Sequence, residues 1–237
     1  MKIMCIGTGS KGNCYILTTD NNKQLVLELG LKYNSIITKI DVDNLQGILV
    51  SHNHADHLYG NNLEKFSSDF NVPIISPLDQ KYKVNKTYKI GEFLVTPLLA
   101  VHNAVCYSYL IRVSGKTILF ATDTNVIPKV NMKIDILLGE VNHIRELIEE
   151  KTMYDDDGIY QHLLKSYKNH HSLEMMEEYL LSLNYKIPQL YIIHYSKTIA
   201  FDKDIVINTL ENFADKIEIM EGGHTYALWK TFFSESV

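Results

Sequence analysis

At 237 residues, 46% of them hydrophobic, the chain is long enough to bury a substantial core and is expected to form a single domain over residues 1–237. No apolar run reaches the roughly 18 residues that cross a bilayer, so no membrane association is expected. Cys5, Cys14 and Cys106 form an odd set without metal-ligand spacing, which argues against a disulfide framework and for a cytoplasmic location, while a net charge of −5 argues against a broad basic surface for long nucleic acid.

In chain order, Met1 to Ile6, Cys14 to Thr18 and Gln24 to Leu29 are short apolar or β-branched runs that read as strands. Turn-rich segments, Gly7-Thr8-Gly9-Ser10-Lys11-Gly12-Asn13 and Asp20-Asn21-Asn22, separate them. Gly47 to Ser51 reads as a buried strand that ends on His52, and Leu58 to Phe66 carries apolar residues at helical spacing. Further strands fit Pro73 to Ser76, Phe93 to Leu99, Tyr107 to Val113, Thr117 to Ala121 and Ile134 to Leu138. Ser172 reads as the cap of a helix running to Leu181, and Gln189 to Ile193 as a buried strand that ends on His194. Between Asn142 and Asn169, Glu146, Glu149, Glu150 and Asp155-Asp156-Asp157 make an acidic segment that reads as a solvated face.

His52-Asn53-His54-Ala55-Asp56-His57 puts four metal-capable side chains within six residues, directly after a buried strand. Neutral imidazoles suit zinc, a carboxylate adds charge, and the crowding exceeds what one ion accommodates, so two sites are expected. A histidine-rich surface turn is the bland alternative, which the strand in front and the helix behind disfavour. Taken singly, His102 or His194 would read as a hydrogen-bonded structural residue.

The six-residue run resembles the His-x-His-x-Asp-His signature of the metallo-β-lactamase superfamily, and the likeness extends over almost the whole chain. The resemblance implies an α/β fold, an αββα sandwich in which two β-sheets pack face to face with helices outside. It also implies a ligand set from later strand ends, here Val101-His102-Asn103, Ala121-Thr122-Asp123 and Ile193-His194-Tyr195. On that pattern His52, His54 and His102 hold one Zn(2+) ion, Asp56, His57 and His194 hold a second, and Asp123 bridges them, with Mn(2+) as a substitute. Diiron relatives carry glutamate where this chain has His54, and classical β-lactamases carry Cys or Ser where it has Asp123, so oxygen chemistry and antibiotic hydrolysis are both disfavoured.

Three segments resemble the nuclease and phosphodiesterase branch. Gly7 to Tyr15 is similar to the Gly-Ser-Gly-Ser-x-Gly-Asn loop of YycJ proteins, and His102 to Ile111 is similar to the His-x(4)-Tyr-Gly-Tyr segment of tRNase Z, with Ser108 in place of glycine. Leu138-Gly139-Glu140 and Asn169-His170-His171-Ser172 resemble the acid and histidine that contact the scissile phosphate. The YycJ pattern points to His170 and the tRNase Z pattern to His171, with His170 preferred. His143, His162 and His224 read as ordinary histidines. Glu28, in Leu27-Glu28-Leu29-Gly30, stands where relatives place an aspartate, which leaves its role open.

The short interval from His102 to Asp123 leaves no space for the tRNA-gripping arm of tRNase Z, and the segment after His194 is shorter than the clamp domains of RNase J. The resemblance therefore implies a phosphodiesterase for a small cyclic nucleotide or a short oligonucleotide, like the anti-Pycsar enzymes of phages, or a 5′ exonuclease like YycJ. A glyoxalase II-like thioesterase or lactonase is the alternative of another class, and it would have no use for Glu140 with His170 or His171. In the phosphodiesterase reading Asp56 orients water or takes its proton, and His170 or His171, supported by Glu140, protonates the departing oxygen. The partners expected are a nucleotide or short nucleic acid, with a homodimer left open. Lys81, Lys83, Lys86 and Lys89 read as a solvated strand face or a local basic patch, and the Lys, Asn, Ile and Tyr usage as a bacterial or phage origin.

Overall fold

The computed structural model describes residues 1–152, 167–195 and 201–228. Its elements are β1 (Lys2–Gly7), β2 (Cys14–Thr18), β3 (Gln24–Leu27), α1 (Tyr33–Ile37), β4 (Leu45–Leu49), α2 (Asn62–Asp69), β5 (Ile74–Ile75), β6 (Tyr88–Ile90), β7 (Phe93–Ala100), β8 (Cys106–Val113), β9 (Lys116–Ala121), β10 (Ile136–Glu140), α3 (Arg145–Thr152), α4 (Leu173–Leu181), β11 (Ile187–Ile193), α5 (Lys203–Leu210), β12 (Ala214–Ile219) and β13 (His224–Ala227). Two sheets result, one ordered β13-β1-β2-β3-β4-β5 and the other β12-β11-β10-β9-β8-β7-β6.

Strand periodicity explains the layering. Along β10 and β11, Ile136, Leu138, Tyr191 and Ile193 face inward and meet Ile3, Tyr15, Leu25 and Leu49 of the other sheet. The alternate residues Leu137, Leu190 and Ile192 face outward and are covered by Leu173, Met176 and Leu180 of α4 and by Val206 and Leu210 of α5. On the far side, Ile16, Val26 and Ile48 are covered by Ile36 of α1 and Phe66 of α2. The order is helix, sheet, sheet, helix, the α/β sandwich expected from the sequence. Strands buried on both faces need continuous apolar runs, which is why β10 and β11 were legible. Phe120, fully buried between the sheets, would cost about 3–5 kcal/mol if cut to alanine.

Two of the differences from expectation lie beside the site. The strand read as Gln24 to Leu29 stops at Leu27, because Glu28 turns into the left-handed region at φ 69°. The helix read from Leu58 begins at Asn62, because Tyr59 N–H donates to the Leu29 carbonyl and Gly60 adopts φ 55° before the helix can start. Asp155, Asp156, Asp157 and His162 lie outside the described residues. No helix among the described residues is long and apolar enough to cross a membrane.

Candidate metal centre

Strand direction gathers the site. β1 and β3 are both antiparallel to β2, and β3, β4 and β5 are parallel, so β1, β3, β4 and β5 run the same way. By the same logic β7, β9, β10 and β11 share a direction in the second sheet. Residues just past these carboxyl ends therefore line common edges: Thr8 after β1, Glu28 after β3, His52 after β4, His102 after β7, Asp123 after β9 and His194 after β11, with Glu140 closing β10. Glu28, Asp123 and His194 have positive φ of 69°, 46° and 52°, a conformation uncommon outside glycine that turns each side chain sharply at its strand end. Strain of this kind, about 1–3 kcal/mol per residue, persists where surrounding structure over-determines it.

Three groups of ligand-capable residues form there, and within each the ligand atoms lie within 4.8 Å of one another. The groups are His52, His54, His102 and Asp123; Asp56, His57, Asp123 and His194; and Asp123, Glu140, His170 and His194. Asp123 is common to all. Its Oδ2 lies 3.7 Å from Nε2 of His52 and 3.7 Å from Nε2 of His102, while Oδ1 lies 3.1 Å from Nε2 of His57 and 3.4 Å from Nε2 of His194. Asp56 Oδ2 adds contacts of 3.1 Å to His194 Nε2 and 3.5 Å to His57 Nε2. The seven residues expected as ligands thus converge, and one carboxylate faces both sets.

This donor set fits divalent metal ions. Nε2 of His52 is buried without a hydrogen-bond partner, and Nε2 of His102 faces Nδ1 of His54 at 3.3 Å. Spacings of 3.1–3.7 Å between facing nitrogens and oxygens match the separation of donors around one tetrahedral zinc, about 3.3 Å for bonds of about 2.0 Å.

A second layer of contacts aims the rings. Ser51 Oγ lies 2.9 Å from Nδ1 of His52 and 3.4 Å from Nδ1 of His57, leaving both Nε2 atoms towards Asp123. Nδ1 of His102 donates to the Asn169 carbonyl at 3.2 Å with the same effect. Glu28, fully buried, accepts Ser51 N–H on both oxygens at 3.2 Å and stands 3.6 Å from Nδ1 of His57. Thr8 Oγ1 accepts the His194 N–H at 2.8 Å, and Asn142 Nδ2 donates to the His194 carbonyl at 2.9 Å. Asn13 Nδ2 donates to the Asp56 carbonyl at 3.1 Å and its Oδ1 accepts from Gly9 N–H, so the glycine loop holds the metal loop from below. Gly30 completes this contact, since a Cβ there would lie 1.8 Å from the Asp56 carbonyl oxygen.

Charge is balanced inside the cluster. Burial works against the charged form of His57, but Asp123 and Glu28 outweigh it and raise the imidazole well above its ordinary pKa. His194 is likewise pushed up to about 10, burial being outweighed by Asp123, Asp56 and Glu140. His52 goes the other way, pushed down to about 2 by burial and by the neighbouring His57. Asp123 is held well below the carboxylate range, its burial overcome by His194 and His57.

His170 and His171 part company. Nδ1 of His170 lies 2.6 Å from Oε1 of the fully buried Glu140, and its ring stacks on His194 with centroids 5.2 Å apart. Burial opposes charging of His170, but Glu140 outweighs it and raises the imidazole. Its side chain is 20% exposed. His171 is buried, only its backbone N–H approaches Glu140, and its ring belongs to none of the three groups. His143 packs against Tyr167 outside the cluster, and His224 lies exposed on β13. All three cysteines are buried thiols; Cys106 Sγ sits 3.8 Å from Nδ1 of His52, and burial raises its pKa. Sequence reading gave no role to Ser51 or Asn142, and it reached Thr8 and Asn13 only through the glycine loop.

No family model matches the chain. Exodeoxyribonuclease WalJ of Streptococcus pneumoniae is 24% identical over 228 residues, covering 83% of this chain and 82% of that one. The crystal structure of the metallo-β-lactamase fold protein YhfI from Bacillus subtilis is similar with a TM-score of 0.68 at 16% identity, over 95% of this chain and 99% of that one. Human tRNase Z, short form, is similar with a TM-score of 0.59 at 11% identity, over 97% and 100%. At these identities the two structural likenesses are of fold.

Proposed function

We propose that this chain, which has the metallo-β-lactamase fold, is a hydrolase that uses two divalent metal ions, zinc foremost, to cleave phosphodiester bonds in nucleotides or nucleic acid. The observation that carries the reading is the Glu140 and His170 pair, 2.6 Å apart and sharing Asp123 and His194 with the metal cluster. His52, His54 and His102 would hold one ion and Asp56, His57 and His194 the other, with Asp123 facing both sets. When bound, two such ions supply an acidified water and positive charge against the phosphate.

The chain's own groups do the rest. Asp56, whose side chain is 22% exposed, accepts a hydrogen bond from the attacking water and orients it. His170 has Nδ1 committed to Glu140, so Nε2 is free to donate a proton to the departing oxygen. Glu140 keeps that ring charged and aimed. An alkoxide leaving from phosphate needs such a proton, whereas a thiolate leaving from a thioester does not, so the pair favours phosphodiester over thioester hydrolysis.

Between β7 and β9 the chain forms only β8, paired to both, without an inserted arm. Together with the net charge of −5 this supports short oligonucleotides or cyclic nucleotides as substrates. The likeness to exodeoxyribonuclease WalJ favours a second reading, removal of nucleotides from DNA ends. Three buried thiols support a reducing, cytoplasmic setting.

The test is a panel of bis-p-nitrophenyl phosphate, cyclic mononucleotides, single-stranded DNA and RNA, and an acyl thioester, each with and without chelator. Chelator-sensitive cleavage of phosphodiesters with an intact thioester is expected. Thioester turnover without phosphodiester turnover would overturn the reading.

A further inference from the structure

Beside the metal loop, a cavity of about 270 Å³ opens between the segment after β3 and the segment before α2, lined among others by Lys32, Asn34, Tyr59, Asn61 and Lys65. Both segments leave carboxyl ends of parallel strands, so the cavity lies on the edge that carries the metal cluster. Its frame is shared with that cluster. Leu29 N–H donates to the His57 carbonyl at 2.9 Å, Tyr59 N–H donates to the Leu29 carbonyl at 2.9 Å, and Asn62 Nδ2 donates to the carbonyls of Leu29 and Leu31 at 2.8 and 2.7 Å. Tyr59 is two residues beyond His57.

The lining has the chemistry of a nucleotide site. Lys32 and Lys65 have no ion-pair partner among the described residues; Lys65 Nζ rests 5.6 Å over the Tyr33 ring, and the Tyr33 hydroxyl occupies Asp69. Two lysines in the lining of one cavity attract a phosphate. Tyr59 lines the cavity and is 44% exposed, and exposed aromatic side chains stack nucleobases of any sequence. Asn34 and Asn61 add amide donors and acceptors for a sugar or base edge. The volume, near the lower end of the roughly 300–1,000 Å³ of small-molecule sites, suits one nucleotide unit and excludes a duplex.

We infer that this cavity is a subsite for the nucleotide next to the scissile bond, with Lys32 and Lys65 on its non-scissile phosphate and Tyr59 against its base. The inference rests on the phosphodiesterase reading and sharpens it. A cyclic mononucleotide has a single phosphate and cannot occupy the metal centre and the lysine pair together, whereas a 5′-phosphorylated oligonucleotide can. The substrate class is therefore a short oligonucleotide rather than a cyclic mononucleotide.

The experiment compares the full chain with the Lys32→Ala/Lys65→Ala double variant and with Tyr59→Ala, using pTpT and bis-p-nitrophenyl phosphate as substrates. The ratio of the KM for pTpT to that for bis-p-nitrophenyl phosphate is expected to rise about tenfold in each, the scale of one lost stacking or phosphate contact. The salt dependence of the pTpT KM should flatten in the lysine variant by roughly 0.7 per lost contact in log–log slope. Thymidine 5′-monophosphate binding to chelated protein, followed by NMR, isolates the cavity from the metal centre and from turnover, and both variants should weaken it about tenfold, with circular dichroism confirming the fold. An unchanged KM ratio, or thymidine monophosphate binding that is absent in the unsubstituted chain or equal in all three, overturns the inference. Loss of all phosphodiester turnover in the unsubstituted chain would instead count against the function proposed above.

Discussion

Nδ1 of His170 stands 2.6 Å from Oε1 of Glu140, and the same Glu140 oxygen lies 3.1 Å from Nδ1 of His194, so one buried carboxylate holds a proposed metal ligand and a proposed proton donor in register. His170→Ala should lower kcat on bis-p-nitrophenyl phosphate by about 10²-fold with metal content retained, the scale of losing a general acid. Glu140 holds the His170 pKa above its ordinary value, and a proton donor works only below its pKa. Glu140→Gln should therefore move the alkaline limb of the kcat profile to lower pH. A profile that does not move would separate Glu140 from proton transfer.

Metal loading should release protons. In the metal-free chain His194 titrates at about 10 and His57 well above its ordinary range, so both carry protons at pH 7 that a metal ligand must lose. Calorimetric titration with zinc at pH 7 in buffers of different ionisation enthalpy should report about two protons released per chain. Because these pKa values are raised on folding, the protonated rings stabilise the metal-free fold fully below about pH 6.5, and that contribution is lost as pH climbs through the raised values. The Tm of chelated protein should accordingly fall between about pH 7 and 10.

Ligands and their supports should differ in kind. Asp123→Asn weakens the group that faces both sets of donors and should abolish turnover and cut bound metal, read by elemental analysis. Ser51→Ala removes the hydroxyl placed 2.9 Å from His52 and 3.4 Å from His57 and should weaken metal affinity about 10–100-fold while leaving saturated turnover measurable. Equal metal affinity with and without the hydroxyl would make Ser51 a packing residue.

Gly30→Ala would drive a Cβ to 1.8 Å from the Asp56 carbonyl oxygen, a backbone atom that cannot swing away. The expected cost is at least about 1–3 kcal/mol in urea unfolding, accompanied by lower metal affinity because the displaced segment carries Asp56 and His57. Wild-type stability would show that the two loops part readily.

What was legible in the sequence follows from where information is local. His52 to His57 form a run of six residues just past one strand end, and His102, Asp123 and His194 each follow an apolar run, so burial marked them without knowledge of sheet order. His170 and His171 could not be separated by spacing, because neighbouring residues point apart and only the packing of Glu140 chooses between them. Ser51 escaped notice because a serine ending a buried strand looks like any turn residue. β6, β12 and β13 were missed because they are half-exposed edge strands whose charged or polar residues, such as Asp215, Lys216 and Glu218, dilute the alternation. α5 was missed although Asp202 caps it through the N–H groups of Asp204 and Ile205. The early end of β3 depends on Glu28 adopting positive φ, which no propensity anticipates for glutamate.

If two divalent ions held by this cluster make the chain a phosphodiesterase, activity must follow metal content. The most direct measurement is to strip the protein with chelator and titrate zinc back while following bis-p-nitrophenyl phosphate hydrolysis, with manganese as a parallel series. Turnover is expected to be absent in the stripped protein, to rise with added metal and to level off at two equivalents per chain. Undiminished turnover in the metal-free chain, or none with two equivalents bound, would overturn the proposed function.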